Sequence, residues 1–362
     1  MDTTVITTGH LVLRPWEARD APAVLAACQD QEVQRWTTVP SPYSRRDALS
    51  WCTELSPAGW EAGTAASFAV LDAATGDLLA SVGLDGINHG AATLGYWCAA
   101  PARGRGVVTE AAQALCRWGF GPLGLELVVW AAEVGNWASR AVAEKSGFTV
   151  EGVHRSWLLH RGARVNAWTG SLLSGDAVVD RRLLPAPPRL TDGVVALRGW
   201  HASDGPDVAR ACDDAETARW LPVPTPYGRA DGVQYAGQLV PGQWADGEAA
   251  NLAVIDPASG ALLGAVGLKL AHRDEGVGEV GYWTAPWARG RGGAGRAAAL
   301  VGAWGLQELG LSRVELLADV DNPASQAAAL RGGYVREGVL RSCRRAPRTG
   351  EPRDMVVYAL LA

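Results

Sequence analysis

The stretch LVLRPW (Leu11 to Trp16) alternates apolar and polar positions with the period of a half-buried strand. ARDAPAVLAACQ then carries helical spacing, with Asp20 near its start, and SRRDALSWCTEL predicts a second helix. ASFAVLD and LLASVGL, either side of AATGD, predict two strands joined by a turn in which Gly76 supplies the reversal. ATLGYWCA reads as another strand and leads into an Arg-Gly turn and the helix VVTEAAQALCRWGF. The strand LELVVWAA, the helix NWASRAVAEKSG and terminal strands around FTVEGVHR and ARVNAWTGSLL complete the series. This order predicts an α/β (α+β) fold, a mixed and mostly antiparallel sheet flanked by helices, with a βαβ-like crossover late in the chain.

The same series occurs twice. LRPWEARDAPAVLAACQD (Leu13 to Asp30) matches LRGWHASDGPDVARACDD (Leu197 to Asp214) at an offset of 184 residues, which becomes 186 after the second copy gains two residues around AHRDEGVG. Trp16, Trp36, Trp60, Trp97 and Trp118 recur in register as Trp200, Trp220, Trp244, Trp283 and Trp304. So long a period means two copies of a whole domain rather than a solenoid repeat. VVDRRLLPAPPRL has three prolines and no periodicity and reads as a linker. The expected division is a domain over 1–177, a linker over 178–190 and a domain over 191–362.

Bulk properties narrow the function. With 48% hydrophobic and 20% charged residues the chain can bury real cores, and no apolar run nears the ~18 residues of a membrane span. The N-terminus has neither a basic start nor a long apolar stretch, so no signal peptide is expected and the protein reads as cytoplasmic. The six cysteines lack CxxC spacing and are expected as free thiols, with no metal site. A net charge of −5 without a basic block argues against a nucleic-acid partner.

The chemistry concentrates at the repeated turn. PARGRGVVTEAAQAL from Pro101 and PWARGRGGAGRAAAL from Pro286 each place a glycine-rich turn between a strand and a helix. Free amides at a helix start, the helix dipole and close backbone approach make such a turn an anion site. No Lys-Ser or Lys-Thr follows the glycines, so it is not a P-loop, and the spacing is not GxGxxG. Arg103-x-x-Gly106 and Arg289-x-x-Gly292-x-Ala294 resemble the (Gln/Arg)-x-x-Gly-x-(Gly/Ala) pyrophosphate loop of the GCN5-related N-acetyltransferases. With LGYWCAAPARGRG, VGYWTAPWARGRG, NWASRAVAEKSGF and NPASQAAALRGGY, the chain is most similar to their ribosomal-protein-alanine (RimJ/RimL-like) branch across essentially both halves.

The resemblance implies an acetyl-CoA (or other acyl-CoA) site in each half. Its pyrophosphate loop corresponds to Arg103, Gly104, Arg105, Gly106 and Val108, and to Arg289, Gly290, Arg291, Gly292 and Ala294. Its pantetheine-contacting asparagine corresponds to Asn136 and Asn322, although an asparagine at a helix start also serves as an N-cap. The family's tyrosine acid is absent, since Ala143 and Ala329 stand in its place; the branch's serine acid corresponds to Ser139 and Ser325. The branch's late-strand glutamate maps near Leu158 and Arg344, so neither half keeps it. Glu279 lies where many members carry a carboxylate, Thr93 replaces it in the first half, and Asp85 with nearby His89 is the first half's candidate base. Trp36, Tyr43, Trp220 and Tyr227 are candidates to bind the acceptor or to pin its loop to the core.

The activity implied is acyl-CoA-dependent N-acyl transfer to a primary amine of a small metabolite, peptide or protein N-terminus. The alternative is a non-catalytic acyl-CoA-binding protein. Val108 stands where a small residue is expected, whereas the second half has Ala294, and Asp354 there fits the branch's terminal pattern better than Asn166 does. Those two comparisons tilt the balance slightly to the second domain, against Glu110 and AEKSGF, which favour the first. A monomer whose domains form a pseudo-dimeric pair, or a homodimer, would suit a duplicated chain.

Overall fold

A computed structural model describes residues 1–362. The chain divides into two compact units, Met1–Arg182 and Leu183–Ala362. In the first the strands are β1 (Ile6–Thr7), β2 (Leu11–Arg14), β3 (Ala65–Asp72), β4 (Leu78–Asn88), β5 (Ala91–Cys98), β6 (Leu127–Glu133), β7 (Thr149–His160) and β8 (Ala163–Leu173). They form one sheet of order β1-β2-β3-β4-β5-β6-β8-β7, antiparallel except at β5–β6. The helices are α1 (Ala21–Cys28), α2 (Gln31–Trp36), α3 (Arg45–Ser50), α4 (Ser56–Ala62), α5 (Val107–Phe120) and α6 (Trp137–Lys145). A π-turn over Trp51–Leu55 joins α3 to α4, so the segment read as one helix, Ser44 to Leu55, is α3 followed by that turn, and the helical run continues beyond it into α4.

The second unit repeats this with β9 (Leu190–Thr191), β10 (Ala196–Arg198), β11 (Ala249–Ile255), β12 (Leu262–His272), β13 (Val277–Thr284), β14 (Arg313–Asp319), β15 (Val335–Arg345) and β16 (Pro352–Leu361). Its helices are α7 (Gly205–Cys212), α8 (Ala215–Trp220), α9 (Arg229–Gln234), α10 (Val240–Ala245), α11 (Gly293–Glu308) and α12 (Pro323–Arg331). The sheet order, β15-β16-β14-β13-β12-β11-β10-β9, is the same ladder.

Strand alternation sorts side chains onto two faces. On one, Val82, Leu84 and Leu94 meet Ala111, Ala112 and Leu115 of α5. Small residues let that helix lie close: a β-carbon on Gly119 would stand 3.0 Å from Leu84 Cδ1. On the other, Trp16, Ala69 and Trp97 meet Val24, Cys28, Tyr43 and Ala48 from α1 to α3. Arg14 ties α1 to β2 through two bonds to Asp20, both 2.7 Å. Arg198 and Asp204 repeat the clamp at 2.8 Å. Asp20, read as a helix-start residue, spends its carboxylate on Arg14 and on the Glu17 N–H rather than capping α1.

The Pro-rich segment is docked at both ends. Arg181 donates from Nε to the Gly147 carbonyl at 2.5 Å, while Leu184 is buried and the Pro185 carbonyl accepts Trp244 Nε1 at 2.9 Å.

Candidate active site

Each Arg-Gly turn runs into a helix whose first amides have no protein acceptor. Gly104 and Gly106 have φ of +73° and +80°, and Gly290 and Gly292 have +76° and +75°, a region costly for any residue with a β-carbon. Helix α5 makes its first backbone bond from Glu110 to the Gly106 carbonyl, 3.0 Å, and no side chain caps it. The amides of Val107, Val108 and Thr109 therefore leave the helix end without a protein acceptor. Helix α11 begins identically, Arg296 to Gly292 at 3.4 Å, freeing the amides of Gly293, Ala294 and Gly295. Such donor sets fit a pyrophosphate. The Val108 side chain lies in the core beneath the helix, so what this residue presents to the turn is its amide.

The loop arginines are already engaged. Arg103 binds Asp30, which caps α2 by accepting the Val33 N–H, and Arg289 binds Asp214 and Thr217 in the same way. The arginine beside each aspartate holds its carboxyl below the usual range. Arg105 and Arg291 are exposed, Arg105 reaching 4.0 Å from Asp72.

Beside the cradle the sheet opens. β5 and β6 pair in parallel only from Ala91↔Leu127 to Thr93↔Val129, and β13 and β14 only from Val277↔Arg313 to Val280↔Leu316. Beyond Thr93 the backbone of Gly95, Tyr96 and Trp97 has no parallel partner, an opening suited to an extended amide-bearing arm. Asn136 and Asn322 head the helices at this opening, each accepting from the serine three residues on, Ser139 N at 3.1 Å and Ser325 N at 3.0 Å. Their side-chain oxygens act as N-caps, which leaves the carboxamide N–H groups for a ligand.

Ser139 Oγ lies 2.9 Å from Tyr96 Oη and accepts Trp130 Nε1 at 3.1 Å. Ser325 Oγ lies 2.9 Å from Tyr282 Oη, and Leu316 takes the place of the indole. Burial pushes both tyrosines up, so they stay protonated donors. Sequence reasoning gave these tyrosines no role; the signal was GYW, repeated in register.

The two units differ most on the opposite face. In the first, a cavity of about 370 Å³ is floored by Ser67, Ser81, Gly83, Asp85 and Gly95 and walled by Val24, Val39, Tyr43, Trp51 and Trp97. Asp85 is exposed as a residue and has no hydrogen-bond or ion-pair partner; its carboxylate lines the cavity, where the protein packed about it partly desolvates it and pushes its carboxyl up. Tyr43 is 7% exposed and forms part of the cavity wall, whereas Trp36 lies over the turn before Asn136, with its indole N–H on Glu32.

In the second unit Lys269 occupies the register position of Asp85, and Glu279 that of Thr93. Glu279 accepts Lys269 Nζ at 3.1 Å and Arg344 at 2.6 Å, one cation on each oxygen. Where the first unit has Ser67 near Gly83, Asn251 Oδ1 lies 1.8 Å from where a Gly267 β-carbon would stand. Trp220 bonds Glu216 at 2.7 Å, and Tyr227 is 7% exposed in the core. Asp354 bonds the Ser342 N–H at 2.8 Å and Asn166 the Ser156 N–H at 2.9 Å; both hold a strand bulge, so Asp354 no longer distinguishes the halves. His89 sits in the β4–β5 turn at φ +46°.

The profile of the acetyltransferase (GNAT) domain matches residues 10–149 and again 195–335. YdaF of Bacillus subtilis (strain 168), provisionally named a ribosomal N-acetyltransferase, is 31% identical over 162 residues, 42% of this chain and 85% of its own length. The p20 N-acetyltransferase of Bacillus licheniformis is 27% identical over 172 residues, 46% of this chain and 94% of its own. Mycobacterium smegmatis RimJ, solved with CoA-disulfide, is 20% identical with a TM-score of 0.42, covering 47% of this chain and 86% of RimJ. No helix is long and apolar enough to cross a membrane. The chain is an acetyltransferase of the GNAT family, with one GNAT domain in each half.

Proposed function

We propose that the protein transfers acetyl from acetyl-CoA to a primary amine, and that the first domain performs the transfer. The observation that carries this reading is Asp85: an unpartnered carboxylate on the floor of a cavity that also reaches Gly95, Tyr96 and Trp97, where β5 has left β6. An acyl-CoA supplies the activated thioester. Asp85 takes the proton that an ammonium must lose before its nitrogen can attack. As the N–C bond forms and the C–S bond breaks, the nitrogen sheds its second proton and the leaving sulfur gains one; Ser139 Oγ hydrogen-bonds that sulfur and relays the proton, ending as the hydroxyl it began as, while the proton on Asp85 returns to solvent. Trp130 Nε1 donates to that oxygen, and the Tyr96 hydroxyl, 2.9 Å from Ser139 Oγ and 3.0 Å from the Ser139 carbonyl, holds it at the opening.

The second domain is read as an acyl-CoA-binding unit without turnover. Its cradle is intact, while its carboxylate is neutralised on both sides and Lys269 stands where an ammonium would have to bind. This reading reverses the tilt the sequence suggested.

Thiol release from acetyl-CoA with a panel of amines tests it. Asp85→Asn should lower kcat/KM by roughly a hundredfold or more, and Gly106→Glu should abolish turnover that Gly292→Glu leaves in place. Turnover that survives Gly106→Glu and disappears with Gly292→Glu would reverse the assignment.

A further inference from the structure

From the first domain's cavity we infer the acceptor: a small primary amine whose body is uncharged and aromatic or branched-apolar. The inference rests on the proposed transfer at Asp85 and deepens it. Only two charged side chains line the cavity, Asp85 and Asp47, and no cation does. Asp47 is spent on the Ser44 N–H and hydroxyl, at 2.8 and 2.5 Å, as the cap of α3. Asp47 keeps its charge but is held at the α3 end by those bonds, so Asp85 is the lining carboxylate without a partner and the one placed to meet an ammonium.

The remainder of the lining favours an apolar body. Trp97 and Trp51 both flank Trp16, with ring centroids at 6.1 and 6.5 Å, and this braced aromatic wall continues through Tyr43 to Val24 and Val39. A flat or branched group gains dispersion and desolvation there at little ordering cost. The volume of about 370 Å³ lies at the lower end of the range for small-ligand pockets, which suits a compact amine rather than a long peptide segment. A carboxylate or phosphate next to the amine would enter a cavity with no cation and approach Asp85, an uncompensated charge with like-charge repulsion added. Free amino acids and aminonucleotides are therefore rejected on electrostatic grounds. The second domain reinforces the contrast, since Lys269 and Arg344 occupy the region where the first offers Asp85 and Leu158.

The experiment uses the intact chain with acetyl-CoA and four acceptors: 2-phenylethylamine, phenylalanine, spermidine and a peptide with a free N-terminal alanine. 2-Phenylethylamine should be acetylated with a kcat/KM roughly a hundredfold or more above that of phenylalanine, which differs by the carboxylate. Ser50→Phe, which fills the cavity from its α3 edge, should raise KM for 2-phenylethylamine while leaving acetyl-CoA affinity unchanged by calorimetry. Acetylation of spermidine or the peptide in preference to 2-phenylethylamine would overturn this inference and leave the transfer reading standing. Absence of thiol release with all four would overturn both.

Discussion

Asp85 and Lys269 share one register position and oppose each other in charge, and the proposed division of labour between the halves rests on that exchange. Burial raises the Asp85 carboxyl above 3.8, so the folded state holds this proton more tightly than the unfolded chain. Its favourable contribution to stability is complete below the unfolded value and is lost as pH rises through the folded one. Asp85→Asn should therefore melt at a higher temperature than the parent at neutral pH while losing activity. The acid limb of the parent's kcat/KM profile should lie above 3.8 and vanish in the variant. Glu279→Gln tests the opposite environment: it removes a charge held between Lys269 and Arg344, so it should lower the second unit's stability by about 1 kcal/mol and leave turnover within about twofold.

At the scale of elements, two devices set the site, a helix start without a cap and a clamp that holds α1 to β2. Replacing Gly106 or Gly292 with Glu forces a β-carbon into positive φ, at about 1–2 kcal/mol, and puts a carboxylate against the freed amides. Calorimetry with acetyl-CoA should show each variant losing one site while the other titrates normally; a melting curve with only a modest shift separates lost binding from lost folding. The clamp predicts an acid dependence. Arg14 helps hold the Asp20 carboxyl below its ordinary 3.8, against the opposing effect of burial, so the contribution is present above 3.8 and disappears as pH falls through the lowered value. Asp20→Ala strands the mostly buried Arg14 and should cost the first unit about 3 kcal/mol in denaturant unfolding at pH 7, a loss that shrinks as pH falls through the lowered Asp20 value. Alternation and helical spacing made the main strands and helices legible before the structure. They left out α2, α4, β1 and the π-turn at Trp51, because helices of six and seven residues, a two-residue strand and one extra residue in a turn leave no period to read.

For the whole molecule, duplication implies two cradles per chain. Titration of the intact protein with acetyl-CoA should accordingly fit two sites, of which only the first domain's supports turnover. Sequence alone determined the duplication, the strand order's alternation, the paired glycine turns and the serines at the helix starts, since all of these are local or repeat in register. It also placed Asp85 and Glu279 among the candidate bases, as single residues on strands. Tertiary structure decided what those residues meet. Glu279 is engaged by Lys269 from a neighbouring strand and by Arg344, 65 residues away in the chain, whereas Asp85 faces an open cavity walled by α1, α3 and the loop before Tyr43. It likewise brought Tyr96 to Ser139 across 43 residues and assigned Asp354 to a strand bulge. A carboxylate's strength as a base depends on the charges and solvent around it, and these come from segments distant in sequence, which neither periodicity nor a motif encodes.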